Sequence, residues 1–175
     1  MPVPASDDAY RRFLSWRRPF EVGFWILLTG SNFIGNSITT LMEIRRGESD
    51  ILAWEPMVWE LSSALVWLLV LLPMIVWFTR RFPLHWETWR RLLPWYLLAS
   101  IVVSALHVAG MVGIRMLVYR WQGMDYDFGP WGREFVYEYM KDFRSFVSIV
   151  AIIEGYRFVL RRWQGEASLL DAPDE

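Results

Sequence analysis

The stretch from Ser104 to Tyr119, SALHVAGMVGIRMLVY, sets a histidine and an arginine inside an apolar run. An imidazole changes charge near neutral pH and also binds ligands, so His107 is a candidate for ligand binding or proton sensing, or else for a hydrogen bond inside a bundle. Arg115 stands near the outer end of the same run and can snorkel to water, which leaves His107 as the side chain that demands an interior partner. A second concentration, YEYMKDFRSFVSIV, carries Glu138, Lys141, Asp142 and Arg144, followed by Ser145 and Ser148 at helical spacing. Glu60 lies in VWELSS, and Asn32 and Asn36 lie one turn apart in SNFIGNS. Charges of both signs with carboxamides suit a polar ligand or interhelix bonds. No nucleophile stands beside a base in sequence and there is no phosphate loop, so an enzyme is not expected.

No metal or cofactor is expected either. The pair Asp125-x-Asp127 lacks the twelve-residue calcium-loop pattern. Haem between membrane helices needs a histidine on each side of the iron, and the only other histidine, His85, falls in a connecting segment. The absence of cysteine excludes thiol–disulfide chemistry, and with it the quinone-coupled disulfide oxidases, as well as Cys-zinc and iron–sulfur sites.

The elements that must position these residues follow from charge segregation. The 175 residues are 54% hydrophobic yet hold 18 Lys and Arg and 19 Asp and Glu; mean hydropathy is +0.21. Four apolar segments, at about 22–42, 57–78, 93–119 and 139–160, stand between charged connections. About 20 helical residues cross the hydrocarbon core, so all four are long enough. The expected fold is all-α: a four-helix transmembrane bundle preceded by a short amphipathic interfacial helix over residues 6–18, which Pro19 ends. The domain reading is an arm over 1–19, a membrane domain over 20–162, and a cytoplasmic linker over 163–175.

Arginines mark one side. Arg11, Arg12, Arg17 and Arg18 precede the first segment, Arg80, Arg81, Arg90 and Arg91 join the second to the third, and Arg157, Arg161 and Arg162 follow the fourth. Basic residues near span ends favour the cytoplasm, so both termini are expected inside a bacterial cytoplasmic membrane. The first residues lack the apolar run and cleavage site of a signal peptide. Ten of the 12 tryptophans, including Trp16, Trp77, Trp86, Trp121 and Trp163, fall near segment ends as an interfacial belt. Pro73 is positioned to kink the second span, and Glu154 is set to pair with Arg157 at the inner edge.

Three packing expectations complete the picture. Ala105, Ala109 and Gly113 form a small-residue ridge that admits another helix, either in a homodimer or within one subunit. Asn32, Asn36, Ser145 and Ser148 are expected to bond across helices. Glu60, Arg115, Glu138, Lys141, Asp142 and Arg144 are expected to meet, near His107, in a charged cluster beneath the external loops.

The succession NSITTLMEIRRG, WEPMVWELSSALVWLLVLLP, RRFPLHW, RRLLPWYLLASIVVSALHVAGMV, YDFG, YEYMKDFRSF and RRWQGEASLL resembles the N-terminal membrane region of bacterial LytTR-type transcriptional regulators, and related regions of sensor histidine kinases. The likeness runs from about Arg18 to Ala172; WEPxxWExSS is its distinctive element. It implies a membrane anchor and sensor that passes an external or membrane signal to a cytoplasmic LytTR-type DNA-binding domain. Nothing in these 175 residues resembles that output domain, so contact with DNA is expected only through a further domain or a partner protein. The expected partners are the bilayer and a second copy; no ligand identity follows. A passive tether and a small multi-span transporter are the rival readings. The first predicts that an unrelated bundle can replace this one, the second a flux that depends on His107 or Glu60.

Overall fold

A computed structural model describes residues 5–46, 51–84 and 88–170, with side chains described from Arg12 to Gln164 within those limits. His85 and Trp86 lie outside the described residues. Those described form helices and connections with no strand, and four helices account for most of them. They are α1 (Ala5–Arg46), α2 (Glu55–Arg81), α3 (Trp89–Trp121) and α4 (Trp131–Leu170). Two are long and apolar enough to cross a membrane: α2, with 27 residues and mean hydropathy 2.3, and α3, with 33 residues and mean hydropathy 2.2. Although α1 and α4 are longer still, at 42 and 40 residues, they carry more polar side chains.

Two expected boundaries move. Pro19 does not end a helix, because α1 runs through it unbroken. A proline supplies helical φ itself and forfeits one backbone hydrogen bond, which a long helix packed at both ends of its length can sustain. Residues 163–170, expected as linker, continue α4.

Pro73 acts through a different device. The turn Trp67–Leu71 is π-helical, and the Leu72 N–H donates to the Trp67 carbonyl five residues back. The wider turn makes room where the proline ring and its missing N–H would disturb an α-helical ladder.

Packing is centred on α2 and α3: α2 lies against α1 and α3, and α4 lies against α3. Val66, Leu71, Ile75, Tyr96, Val103, Phe146, Val150 and Ile153 make the main apolar core. A smaller one at the other end joins Val108, Met111 and Val112 to Tyr126 and Phe128 of the 122–130 loop. In that loop Gly123 and Gly129 take positive φ, and the Asp127 carboxylate accepts the Gly129 N–H at 2.8 Å. That bond makes a side-chain-to-backbone turn. Near the chain's basic end, Arg157 bonds to Glu154 at 2.6 Å and to the Thr79 carbonyl at 3.0 Å, tying α4 to α2. Phe13 of α1 stacks on Trp163 of α4, with ring centroids 5.5 Å apart.

Within the chain the close helix approach is at Gly110, and the Ala105–Ala109–Gly113 ridge is left exposed. A Cβ on Gly110 would lie 2.9 Å from Val66 Cγ2, whereas one on Gly113 would meet nothing within 4 Å. Ala105, Ala109 and Gly113 all face outward. The two faces of α3 thus differ by one residue in register, and only the Gly110 face meets α2. Because a β-branched valine in a helix has little rotamer freedom, Gly110→Leu is expected to destabilise the chain by about 1–3 kcal/mol through overpacking. Gly113→Leu should leave the unfolding midpoint in detergent unchanged, and equal shifts for the two would contradict this packing.

Candidate functional site

An open cavity of about 610 Å³ lies between α1 and α4, with α2 and α3 as its floor. From α1 come Asn32 and Asn36, with Trp25 and Thr29. Glu60, Ser63 and Trp67 enter from α2, and His107 and Arg115 from α3. The α4 wall supplies Glu138, Lys141, Asp142, Arg144, Ser145 and Ser148. His107, the six members of the expected charged cluster and the four residues expected to bond across helices therefore border one space.

The centre of the floor is a buried relay. His107 and Asp142 are each only 2% exposed, with Nδ1 lying 2.8 Å from Asp142 Oδ1. That is ion-pair distance, although off the line of a straight hydrogen bond. The other carboxylate oxygen accepts the Ser104 hydroxyl at 2.7 Å. On the far side of the ring, His107 Nε2 is 2.7 Å from Ser63 Oγ. A carboxylate beside Nδ1 favours the tautomer protonated there, which leaves Nε2 to accept the Ser63 proton. Trp67, one turn from Ser63, packs its ring 5.6 Å from the imidazole. Helix α2 brings Ser63, α3 brings Ser104 and His107, and α4 brings Asp142.

Beside the relay, Arg115 does not snorkel. It turns inward, donating from Nε to Ser62 Oγ at 3.1 Å, from Nη2 to the Trp59 carbonyl at 2.9 Å and from Nη1 to Tyr126 Oη at 2.8 Å. Next to it the Tyr119 hydroxyl donates to Glu55 at 2.6 Å and accepts the Trp59 indole N–H at 2.7 Å. The tyrosine, the carboxylate and the guanidinium knit α2, α3 and the 122–130 loop together. The WEPxxWExSS element is thereby accounted for. Glu55, Trp59, Ser62 and Ser63 recur at helical spacing on the face of α2 turned to α3, while Glu60 faces the cavity.

The expected charged cluster is looser than its composition suggests. Lys141 pairs with Glu138 of its own helix at 3.0 Å, and among the described residues the imidazole–carboxylate contact of His107 with Asp142 is what crosses helices within this site. Glu60, Arg144 and Asn36 border the cavity with no side-chain partner among the described residues.

Nor do the four residues expected to bond across helices do so. Asn32 Nδ2 donates back to the Leu28 carbonyl at 2.9 Å. Ser145 and Ser148 donate to the carbonyls of Lys141 and Arg144, at 3.1 and 2.9 Å. The cavity holds their helices apart, so these three fall back on the carbonyl four residues earlier in their own helix, and Asn36 is left without a side-chain partner among the described residues.

His107, Glu138 and Asp142 each offer a ligand atom, all within 4.8 Å of one another, a grouping that no sequence spacing announced. His107 Nε2 is engaged by Ser63, Nδ1 lies against the Asp142 carboxylate, Asp142 accepts Ser104, and Glu138 holds Lys141. A cation would have to displace those contacts. Away from the cavity, Glu21 binds Arg17 Nε at 2.7 Å, and this bond holds the Arg17 guanidinium above its ordinary range.

Compared with family models, curated proteins and solved structures, the chain matches none.

Proposed function

We propose that this chain is a four-span membrane sensor module, anchored in a bacterial cytoplasmic membrane with both termini inside. Its cavity takes up a small polar or amphiphilic ligand, and the resulting change in the seating of α4 passes along that helix to a LytTR-type output domain or partner regulator. The observation that carries this reading is the convergence of unpaired Glu60, Arg144 and Asn36 on one open cavity beneath the 122–130 loop. Charged groups held at such a site without partners in the chain are suited to a partner from outside it. Apolar side chains such as Leu27, Leu69, Leu117 and Phe158 project outward, as lipid contact requires. The continuous course of α4 from the cavity wall to Leu170 supplies a rigid connection toward the output. A ligand moves that connection only if it binds two packings with different affinity.

The test uses the chain in its own cell, with transcript levels as the readout. Glu60→Gln and Arg144→Gln remove charges that support no contact in the chain, so the fold and the protein level should persist while regulated transcripts change several-fold. A passive tether leaves transcripts unchanged in both variants, and also when an unrelated four-span bundle replaces the whole region. Topology is read separately, because a chain with no native cysteine reports single introduced ones cleanly. An impermeant maleimide should modify Asp127→Cys in intact cells and Trp16→Cys only after lysis; the reverse pattern would invert the orientation.

A further inference from the structure

We infer that Ser63 is a nucleophile and that Ser63, His107 and Asp142 form a hydrolytic triad acting on a carboxylic ester with an apolar acyl part. The geometry is that of a serine activated by an oriented base. Ser63 Oγ is 2.7 Å from His107 Nε2, and the opposite ring nitrogen is 2.8 Å from Asp142 Oδ1. Both distances fall within the range in which nucleophile, base and orienting carboxylate work as a unit, and such units are recognised by geometry, not by order in the chain.

Burial is divided to suit the roles. His107 and Asp142 are 2% exposed, whereas Ser63 is half-buried and borders the open cavity. Asp142 is in turn fixed by Ser104. Only a small rotation of the imidazole is needed to bring Nδ1–H into line with Asp142 Oδ1, whereas a metal at the same residues would have to break the Ser63 or Asp142 contact.

In the first half-reaction Ser63 Oγ adds to the ester carbonyl carbon and its proton passes to His107 Nε2. The ester C–O bond then breaks, the alcohol leaves with the proton from Nε2, and the acyl group stays on Oγ. Water adds next and gives a proton to Nε2. The Oγ–acyl bond breaks, Ser63 recovers the proton, and the carboxylic acid departs. Because Ser63 sits inside a helix, the backbone N–H groups around it serve the helical ladder, so charge on the carbonyl oxygen must be met by side chains. Asn36 and Arg144 are the donors on the cavity wall that have no other partner among the described residues. Trp67, a turn from Ser63, and Leu72 offer the acyl part an apolar wall, and the opening between α1 and α4 suits a substrate arriving from lipid.

The experiment treats the full chain in detergent micelles with a long-chain alkyl fluorophosphonate and locates the adduct by peptide fragmentation. One adduct on Ser63 is expected, and its position is read in the unmutated chain, independent of how any variant folds. Ser63→Ala should lose it while Ser62→Ala keeps it. His107→Gln should slow labelling by on the order of 10²–10⁴-fold, and Asp142→Asn, a positioning change, should both slow it and shift its pH profile. A chain that shows a cooperative unfolding transition yet takes no label on Ser63 would overturn the assignment, as would labelling at equal rate after His107→Gln. Neither result bears on whether the cavity takes a signal, which the transcript assay reads.

Discussion

Asp142→Ala is expected to destabilise the chain by about 3–5 kcal/mol, because two contacts to one buried carboxylate, each worth about 1.5–3 kcal/mol, are lost together. Asp142 is 2% exposed and serves two helices at once, holding His107 of α3 at 2.8 Å and accepting Ser104 at 2.7 Å. Its loss takes the carboxylate from beside the buried imidazole nitrogen and leaves a hydroxyl that must find another acceptor. The paired change discriminates the cause. With Asp142→Leu and His107→Leu together, no buried polar group is stranded, since Ser104 can turn to a carbonyl of its own helix. Most of the lost stability should therefore return, because apolar replacement of both members of a buried pair is often neutral or better. Thermal unfolding in detergent across the single and double variants measures the coupling. If the double variant is no more stable than Asp142→Ala, the pair is not what makes that position costly.

The same residues show how far a sequence carries. Glu60, His107, Arg115, Glu138, Lys141, Asp142 and Arg144 were identifiable because each is polar within an apolar segment, a signal that needs no knowledge of the fold. All of them border the cavity. Which of them touch was not legible. His107 could be matched with any carboxylate at its depth, and only the rotation of α3 and α4 decides for Asp142 over Glu60 or Glu138. Ser63 was invisible as a partner because a serine at helical spacing defaults to bonding its own backbone, as Ser62 does to the Trp59 carbonyl at 2.9 Å.

Register decides which small face of α3 packs inside the chain. On α3 the small residues Ala109 and Gly110 are neighbours that point to different sides of the helix. Spacing by four picks out Ala105, Ala109 and Gly113, and the actual approach to Val66 uses Gly110. Nothing in one helix's pattern says which of two small faces has the neighbour. Pro19 makes the complementary point. It reads as a helix stop in isolation, yet it lies inside a helix long enough to absorb one missing bond.

Arg115→Ala should rank second in effect and should be felt at the loop as well as in the bundle. The guanidinium spends its three nitrogens on three separate targets: Ser62, the Trp59 carbonyl and Tyr126. Hydrogen bonds from a charged donor contribute about 1.5–3 kcal/mol each where measured singly, and those sharing one side chain are not additive, so a loss of about 3 kcal/mol is expected. Arg115→Lys should recover only part of it, because an ammonium is a compact point and cannot span a fork of acceptors. The loop supplies the second readout. Tyr126 is held by Arg115 at 2.8 Å and by ring contact with Tyr119, with centroids 5.1 Å apart, so its segment should become more open to protease when the arginine goes. Tyr126→Phe separates the two effects: it removes one acceptor and should loosen the loop while leaving the α2–α3 contacts intact. If Arg115→Ala lowers stability without increasing cleavage in residues 122–130, the arginine braces the helices alone, and the loop is held by Phe128 and its packing on Met111 and Val112.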